Sequence, residues 1–137
     1  MKNYFFTLCL VLLCLLMVGC GPPTKIRYEV VGTAPSVNIT MHNSQGNIEQ
    51  LSNVSLPWFK EFDIEKYTRD PNYDDIENDI KGSSYTAYIS AQNNGDLGGV
   101  SVRIYCNGKE RQTATSIGAR VSATASEVAS IRYGQCN

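Results

Sequence analysis

Few side chains here can do chemistry, and their spacing limits what that chemistry is. A nucleophile needs a positioned base, and general acid–base work needs two tuned groups in one cleft. The chain has a single histidine, His42. It falls on the outward side of an alternating segment with no acidic residue nearby, and reads as a solvated strand-end residue. No Gly-x-Ser-x-Gly, histidine-rich or phosphate-loop pattern occurs. No catalytic residue is assigned, and a non-enzymatic protein is expected. The carboxylates Asp74, Asp75, Glu77 and Asp79 crowd one stretch. Hard cations want several oxygens from a bent loop, but the glycine and terminal glutamate of the twelve-residue calcium loop are missing. The cluster reads first as a solvated acidic loop, with calcium or a basic partner as the alternatives. No metal and no cofactor is expected.

Cysteine chemistry is better specified. An uncharged, Leu-rich segment runs from Tyr4 to Val18 behind Lys2 and closes on Leu16-Met17-Val18-Gly19-Cys20. A basic start, an apolar run and a small-residue cut are the parts of a secretory signal. A cysteine directly after the cut resembles the bacterial lipobox, with Met17 where Leu is most usual. In that pattern the chain is cut before Cys20 and its thiol carries two acyl chains, with room for a third on the freed amino group. One acyl chain anchors marginally and two anchor stably, so membrane lipid is the first expected partner. The rival readings are an ordinary signal peptide and a short membrane anchor. The run is shorter than the roughly 20 residues that span a bilayer, and Gly21-Pro22-Pro23 breaks a helix. Residues 1–19 are thus expected to be a signal peptide, residues 20–24 a lipidated tether, and residues 25–137 one domain in the cell envelope, facing the periplasm or the exterior.

Cys9 and Cys14 leave with the leader, and Cys106 and Cys136 remain beside Cys20. An exported chain meets an oxidising compartment, so this pair reads first as a disulfide, with two free thiols as the alternative. Zinc-ligand spacing is absent. The net charge is −1 for the whole chain. A nucleic-acid surface would need a clustered basic excess, and none is expected.

The elements that must carry these residues follow a period of two. Ile26, Tyr28 and Val30 alternate with Arg27 and Glu29; Val37, Ile39 and Met41 with Asn38 and Thr40. The same holds for Tyr85 to Ala91, Val100 to Ile104 and Val121 to Ala125. Such strands have one buried and one wet face, the mark of antiparallel sheet. Asn43 to Gly46, Asn94-Gly95 and Asn107-Gly108 mark turns, the last sitting directly between two strands as a hairpin signal. Gly98-Gly99 predicts a bulge. About seven strands in a chain of this length predict an all-β, antiparallel, immunoglobulin-like sandwich. Residues 64–82 carry six acidic residues and Asp70-Pro71-Asn72, and are expected to be a long acidic loop inserted between two strands.

Aromatic residues offer the remaining candidate surface. Trp58 and Phe62 alternate to one side with Lys60, and Phe59 and Glu61 to the other. One side must be buried, since aromatics dominate a small core. An aromatic left outside would mark a partner contact, with Trp58, Phe59 and the outward Tyr88 as candidates.

Taken in order, Tyr28-Glu29-Val30, Gly32-Thr33-Ala34, Val37 to Thr40, Asn53 to Phe62, Tyr88 to Gly95, Val100 to Ile104 and Gly108-Lys109 resemble the soluble domain of the MmpS family. These are small mycobacterial membrane proteins, and Val54-Ser55-Leu56-Pro57-Trp58-Phe59-Lys60-Glu61-Phe62 is the most specific segment. The resemblance implies a seven-stranded sandwich, no catalytic residues, and an accessory role beside an RND-type (MmpL-like) exporter of lipids or siderophores. Three departures stand out: a lipobox replaces the usual membrane helix, the cysteines are moved from near Val102 and Ala123, and the acidic stretch lengthens a connection. The alternative is a stand-alone envelope lipoprotein that binds a small or lipidic ligand or an external protein.

Overall fold

The computed structural model describes residues 23–64, 84–130 and 135–136. Cys20, Asp74, Asp75, Glu77 and Asp79 lie outside them. The described chain is an antiparallel, immunoglobulin-like β-sandwich. Its strands are β1 (Thr24–Gly32), β2 (Val37–His42), β3 (Ile48–Val54), β4 (Trp58–Ile64), β5 (Ser84–Asn93), β6 (Gly99–Cys106), β7 (Lys109–Ile117), β8 (Ser122–Ser130) and β9 (Gln135–Cys136). One sheet runs β4-β1-β6-β7 and the other β3-β2-β5-β8-β9.

The alternation decides which side chains meet. Ile26, Tyr28 and Val30 on β1 and Val100, Val102 and Ile104 on β6 are fully buried, facing Val37, Ile39 and Met41 on β2 and Ala87, Ile89 and Ala91 on β5. β8 contributes alanines, Ala123, Ala125 and Ala129. Their small volume lets backbones of β6 and β8 come within 8 Å, closer than the roughly 10 Å usual for stacked sheets. At the other flank the aromatics Tyr28, Phe62 and Tyr85 fill the gap edge to face, Tyr28 and Phe62 with ring centres 5.5 Å apart.

Each open flank of the sandwich is closed by a charged inward residue. Lys60 on β4 reaches both carboxylate oxygens of Glu49 on β3 at 2.7 Å. On the opposite flank Glu127 takes the inward position in the alanine series of β8 and is only 7% exposed. It accepts hydrogen bonds from Arg111 Nε and Gln112 Nε2 on β7. Edge strands expose unpaired backbone; here their inner side chains also bind one sheet to the other.

Nine strands form among the described residues where about seven are expected in the chain, and the differences have local causes. Trp58–Ile64 stands as its own strand because its alternation continues inward through Ile64, which is buried. Ile64 therefore belongs to the core and not to the acidic loop. Thr24 is likewise not tether: it pairs with Ile64 and is 1% exposed. β7 extends to Ile117 beside β6. Asn107-Gly108 makes the expected hairpin, with positive φ of 51° and 79°. Asn94-Gly95 does not, because β5 and β6 lie in different sheets and the segment crosses between them. The register shifts fall at Ile104/Tyr105 and Val37/Ile39, not at Gly98-Gly99.

Strand directions gather the connections at two ends. β1 starts beside the Asn107-Gly108 turn, where the Asn107 amide donates to the Lys25 carbonyl; this is the near end. At the far end sit residues 33–36, 55–57, 94–98 and 118–121, and every one of these four segments carries the chain from one sheet to the other.

Candidate functional site

Among the described residues, those singled out by sequence do not meet at one place. Trp58 is half-buried and packs on the core from the inner face of β4. Phe59, its neighbour, stands on the outer face of the first sheet and is 66% exposed. Tyr88 is half-buried on the outer face of the second sheet, its ring 5.4 Å from that of His42. These two outer-face aromatics thus lie on opposite sides of the sandwich. Cys106 and Cys136 are joined as a disulfide, with Cα atoms 6.2 Å apart. It links β6 of one sheet to β9 of the other at the near end.

Around Phe59 the outer face is built by strand register. Arg27 lies between Phe59 and Tyr105, its guanidinium carbon 5.2 Å and 5.5 Å from the two ring centres. Glu29 accepts hydrogen bonds from Arg27, Arg103 and the Tyr105 hydroxyl. Burial alone would raise the Glu29 carboxyl, but the Arg103 and Tyr105 hydrogen bonds and both cations outweigh it and hold the group below its ordinary value. Burial, then the hydrogen bond to Glu29, push Tyr105 up. Lys25 pairs with Glu61 and Asp63. The face is internally neutralised, leaving little net charge to draw an ion.

His42 and the buried tyrosines have backbone work. β2 ends at His42 while β5 continues, so β5 loses its neighbour there. His42 Nδ1 lies 2.9 Å from the Thr86 carbonyl, and the Tyr88 amide donates to the Tyr28 hydroxyl. The Tyr85 hydroxyl donates to the Asn43 carbonyl at 2.8 Å. Burial raises Tyr28 and Tyr85 far from neutral pH, so both stay protonated donors.

Among the described residues, the far end carries an arrangement that resembles a built site. Asn93 is fully buried there. Its Nδ2 donates to the carbonyls of Leu97, Gly98 and Gly118, and its Oδ1 accepts from the Gly95 amide. One side chain thereby fixes the 94–98 and 118–121 segments together. Gly95 fits because a Cβ there would lie 2.7 Å from the Pro35 ring. Next to this pin, Asn94 Nδ2 donates to Asn38 Oδ1 and Asn53 Oδ1, and the Asn53 amide donates to Asn38 Oδ1. Asn38, Gln92, Asn93, Asn94 and Arg120 line an open basin of about 240 Å³. Every one of these side chains is polar. Leu97 and Ile117 project from the same end, 81% and 82% exposed.

No family model matches the chain, and no curated protein matches it.

The far-end basin is absent from the sequence reading. Its signal is present in hindsight as amides at 38, 53, 92, 93 and 94, but Asn94-Gly95 reads as a turn and Asn38 and Asn53 as ordinary strand and loop residues. Arg120 carries no motif. Its backbone has φ of 54°, which a non-glycine residue seldom adopts. Among the described residues no group of histidine, cysteine or acidic side chains is placed to hold a metal, and no helix is long and apolar enough to cross a membrane.

Proposed function

We propose that this chain is a lipid-anchored envelope protein whose β-sandwich is a non-catalytic binding module, held to the membrane by acylated Cys20 and working beside an RND-type exporter. The observation that supports it most is the polarity of the domain. β1 begins at Thr24, four residues after Cys20, and delivers the chain to the far end at Gly32. At roughly 3.3 Å per residue that is about 27 Å. A tether at the near end would present the four inter-sheet segments away from the lipid surface. Loops displayed by a rigid scaffold are where binding residues concentrate. The MmpS-like order of segments supplies the exporter as partner. No enzymatic step is proposed: His42 Nδ1 is engaged with the Thr86 carbonyl.

A stand-alone binding role is the second reading. The polar far-end basin favours it, with a small polar ligand preferred over a lipid, since no apolar side chain lines that basin.

Crosslinking and capture from native membranes, wild type against Cys20→Ser, tests the first reading. Recovery of an exporter subunit with the acylated form alone supports it. Enrichment of no integral membrane protein with either form rejects the exporter and leaves the stand-alone role.

A further inference from the structure

We propose that the far-end basin binds a carboxylate-bearing sugar, with Arg120 taking the carboxylate and the amides of Asn38, Gln92 and Asn94 taking the hydroxyls. This rests on reading the far end as the binding face, and not on the anchor or the exporter.

The argument starts from what each lining group has left to offer. Arg120 forms no ion pair with any described residue, whereas Lys25, Arg27, Lys60, Arg103 and Arg111 all do. Its backbone is used: the amide donates to the Gly95 carbonyl and its own carbonyl accepts from Gln92 Nε2. The backbone of Arg120 is thereby fixed, and its exposed guanidinium stays uncommitted. A planar fork of N–H donors matches the bidentate geometry of carboxylate and of phosphate, and the neighbouring amides decide between them.

The amides are partly spent in the same selective way. Asn38 uses its oxygen on Asn94 and Asn53, leaving Nδ2 as a donor. Asn94 uses its nitrogen on Asn38 and Asn53, leaving Oδ1 as an acceptor. Gln92 uses Nε2 and leaves Oε1. With one Gln92 Nε2 hydrogen also left over, the basin presents one cation, two neutral amide donor groups and two acceptors to its contents. Hydroxyls donate and accept, and can satisfy such a mixture. An ionised phosphate is mainly an acceptor, with at most one or two P–OH donors, and meets two carbonyl-type oxygens less fully than a ring of hydroxyls does. An apolar ligand would strand all of them without partners, which is costly when they are buried.

Size and rigidity point the same way. About 240 Å³ lies below the range usual for drug-sized ligands, and suits one sugar ring. Buried Asn93 locks the two segments that carry Asn94 and Arg120, so little ordering remains to oppose binding. The left-handed backbone of Arg120 fits this picture. Asn or Gly would hold that conformation at less cost, and the cation stands there instead.

The test is a titration of the isotope-labelled full chain in detergent micelles with sodium glucuronate, using glucose, sodium acetate and inorganic phosphate as controls. Saturable shifts are expected at the amides of Gln92, Asn94, Gly95 and Arg120 with glucuronate, and much weaker ones with each control. Arg120→Asn keeps the backbone conformation while removing the charge, and should weaken glucuronate about tenfold or more, the loss of one bidentate charge-assisted pair. Gln92→Ala, at an exposed position, should weaken it by a smaller factor. No saturable shift with glucuronate would overturn the proposal, as would equal binding by Arg120→Asn. Phosphate or glucose binding as tightly as glucuronate would overturn the ligand class. An exporter missing from the membrane capture leaves this result untouched, so the two failures are separable.

Discussion

Asn93 shows how much one residue can hold. It is a polar side chain with no exposure, and four hydrogen bonds tie it to segments 95–98 and 118. Asn93→Ala would leave a buried backbone donor and up to three carbonyls unpaired. The expected cost is about 2–4 kcal/mol, a fall in Tm of roughly 10 °C or more by thermal melting. A melt within a degree or two of wild type would mean water replaces the amide. Glu29 acts on a milder scale. Its folded carboxyl is held below the ordinary 4.5, so its stabilising effect is present above that value and is lost as pH falls through the lowered one. Glu29→Gln should therefore cost about 0.5–1 kcal/mol near neutral pH, in the range of partly exposed ion pairs. The Tm difference from wild type should close on acidification below 4.5. A gap that stays constant with pH would show that the hydrogen bonds, and not the charge, matter. Neither role is legible from sequence. Asn93 follows Gln92 and precedes Asn94 without distinction, and Glu29 is one wet-face residue among several until strand register puts Arg103 and Tyr105 beside it.

Strands are the scale on which sequence was most informative. Inward residues of β1, β2, β5 and β6 follow the period of two throughout. Alternation breaks down as a guide where an inward position is charged. Lys60 and Glu127 occupy such positions because they sit at the flanks, where the partner sheet offers Glu49 or Arg111 and Gln112. No local pattern announces a flank. β9 is similar: two residues count as a strand because they pair with β8 and carry Cys136 to Cys106. With a sequence separation of 30 between the cysteines, replacing both with alanine should cost about 3–4 kcal/mol on the chain-entropy account. Denaturant melts with and without reductant should show that loss in wild type and none in the double variant. Equal stability under both conditions would show that β8 alone holds the end of the chain.

At the level of the whole molecule, the consequence is direction. Every described inter-sheet segment between 33 and 121 lies at the far end, and β1 enters from the near end. If acylated Cys20 holds the near end at a membrane, a dye at Asn107 should be quenched by lipid-headgroup quenchers more strongly than one at Ile117. The strands separate the two by about 27 Å, several times a quencher's contact range. Stronger quenching at Ile117 would turn the domain over, and Leu97 and Ile117 would then be its membrane contacts. The two exposed aliphatic side chains beside a polar basin make this end unlike the neutralised outer face around Arg27 and Phe59.

Period-two alternation specifies, residue by residue, which side of a strand is wet, because side chains in extended backbone point alternately to opposite faces. That local rule is why the all-β class, the Asn107-Gly108 hairpin and the split of Trp58 from Phe59 could be read directly from the sequence. The Cys106–Cys136 pair followed from parity and compartment. Local rules carry no information about which strands share a sheet, so they leave undetermined the crossing at Asn94-Gly95, the flank pairs, the first residue of β1 and the last residue of β4. The far-end basin depends most on tertiary structure. Asn38 and Asn94 are 56 residues apart in sequence and 2.9 Å apart in space, and only the stacking of two sheets brings them together with Arg120.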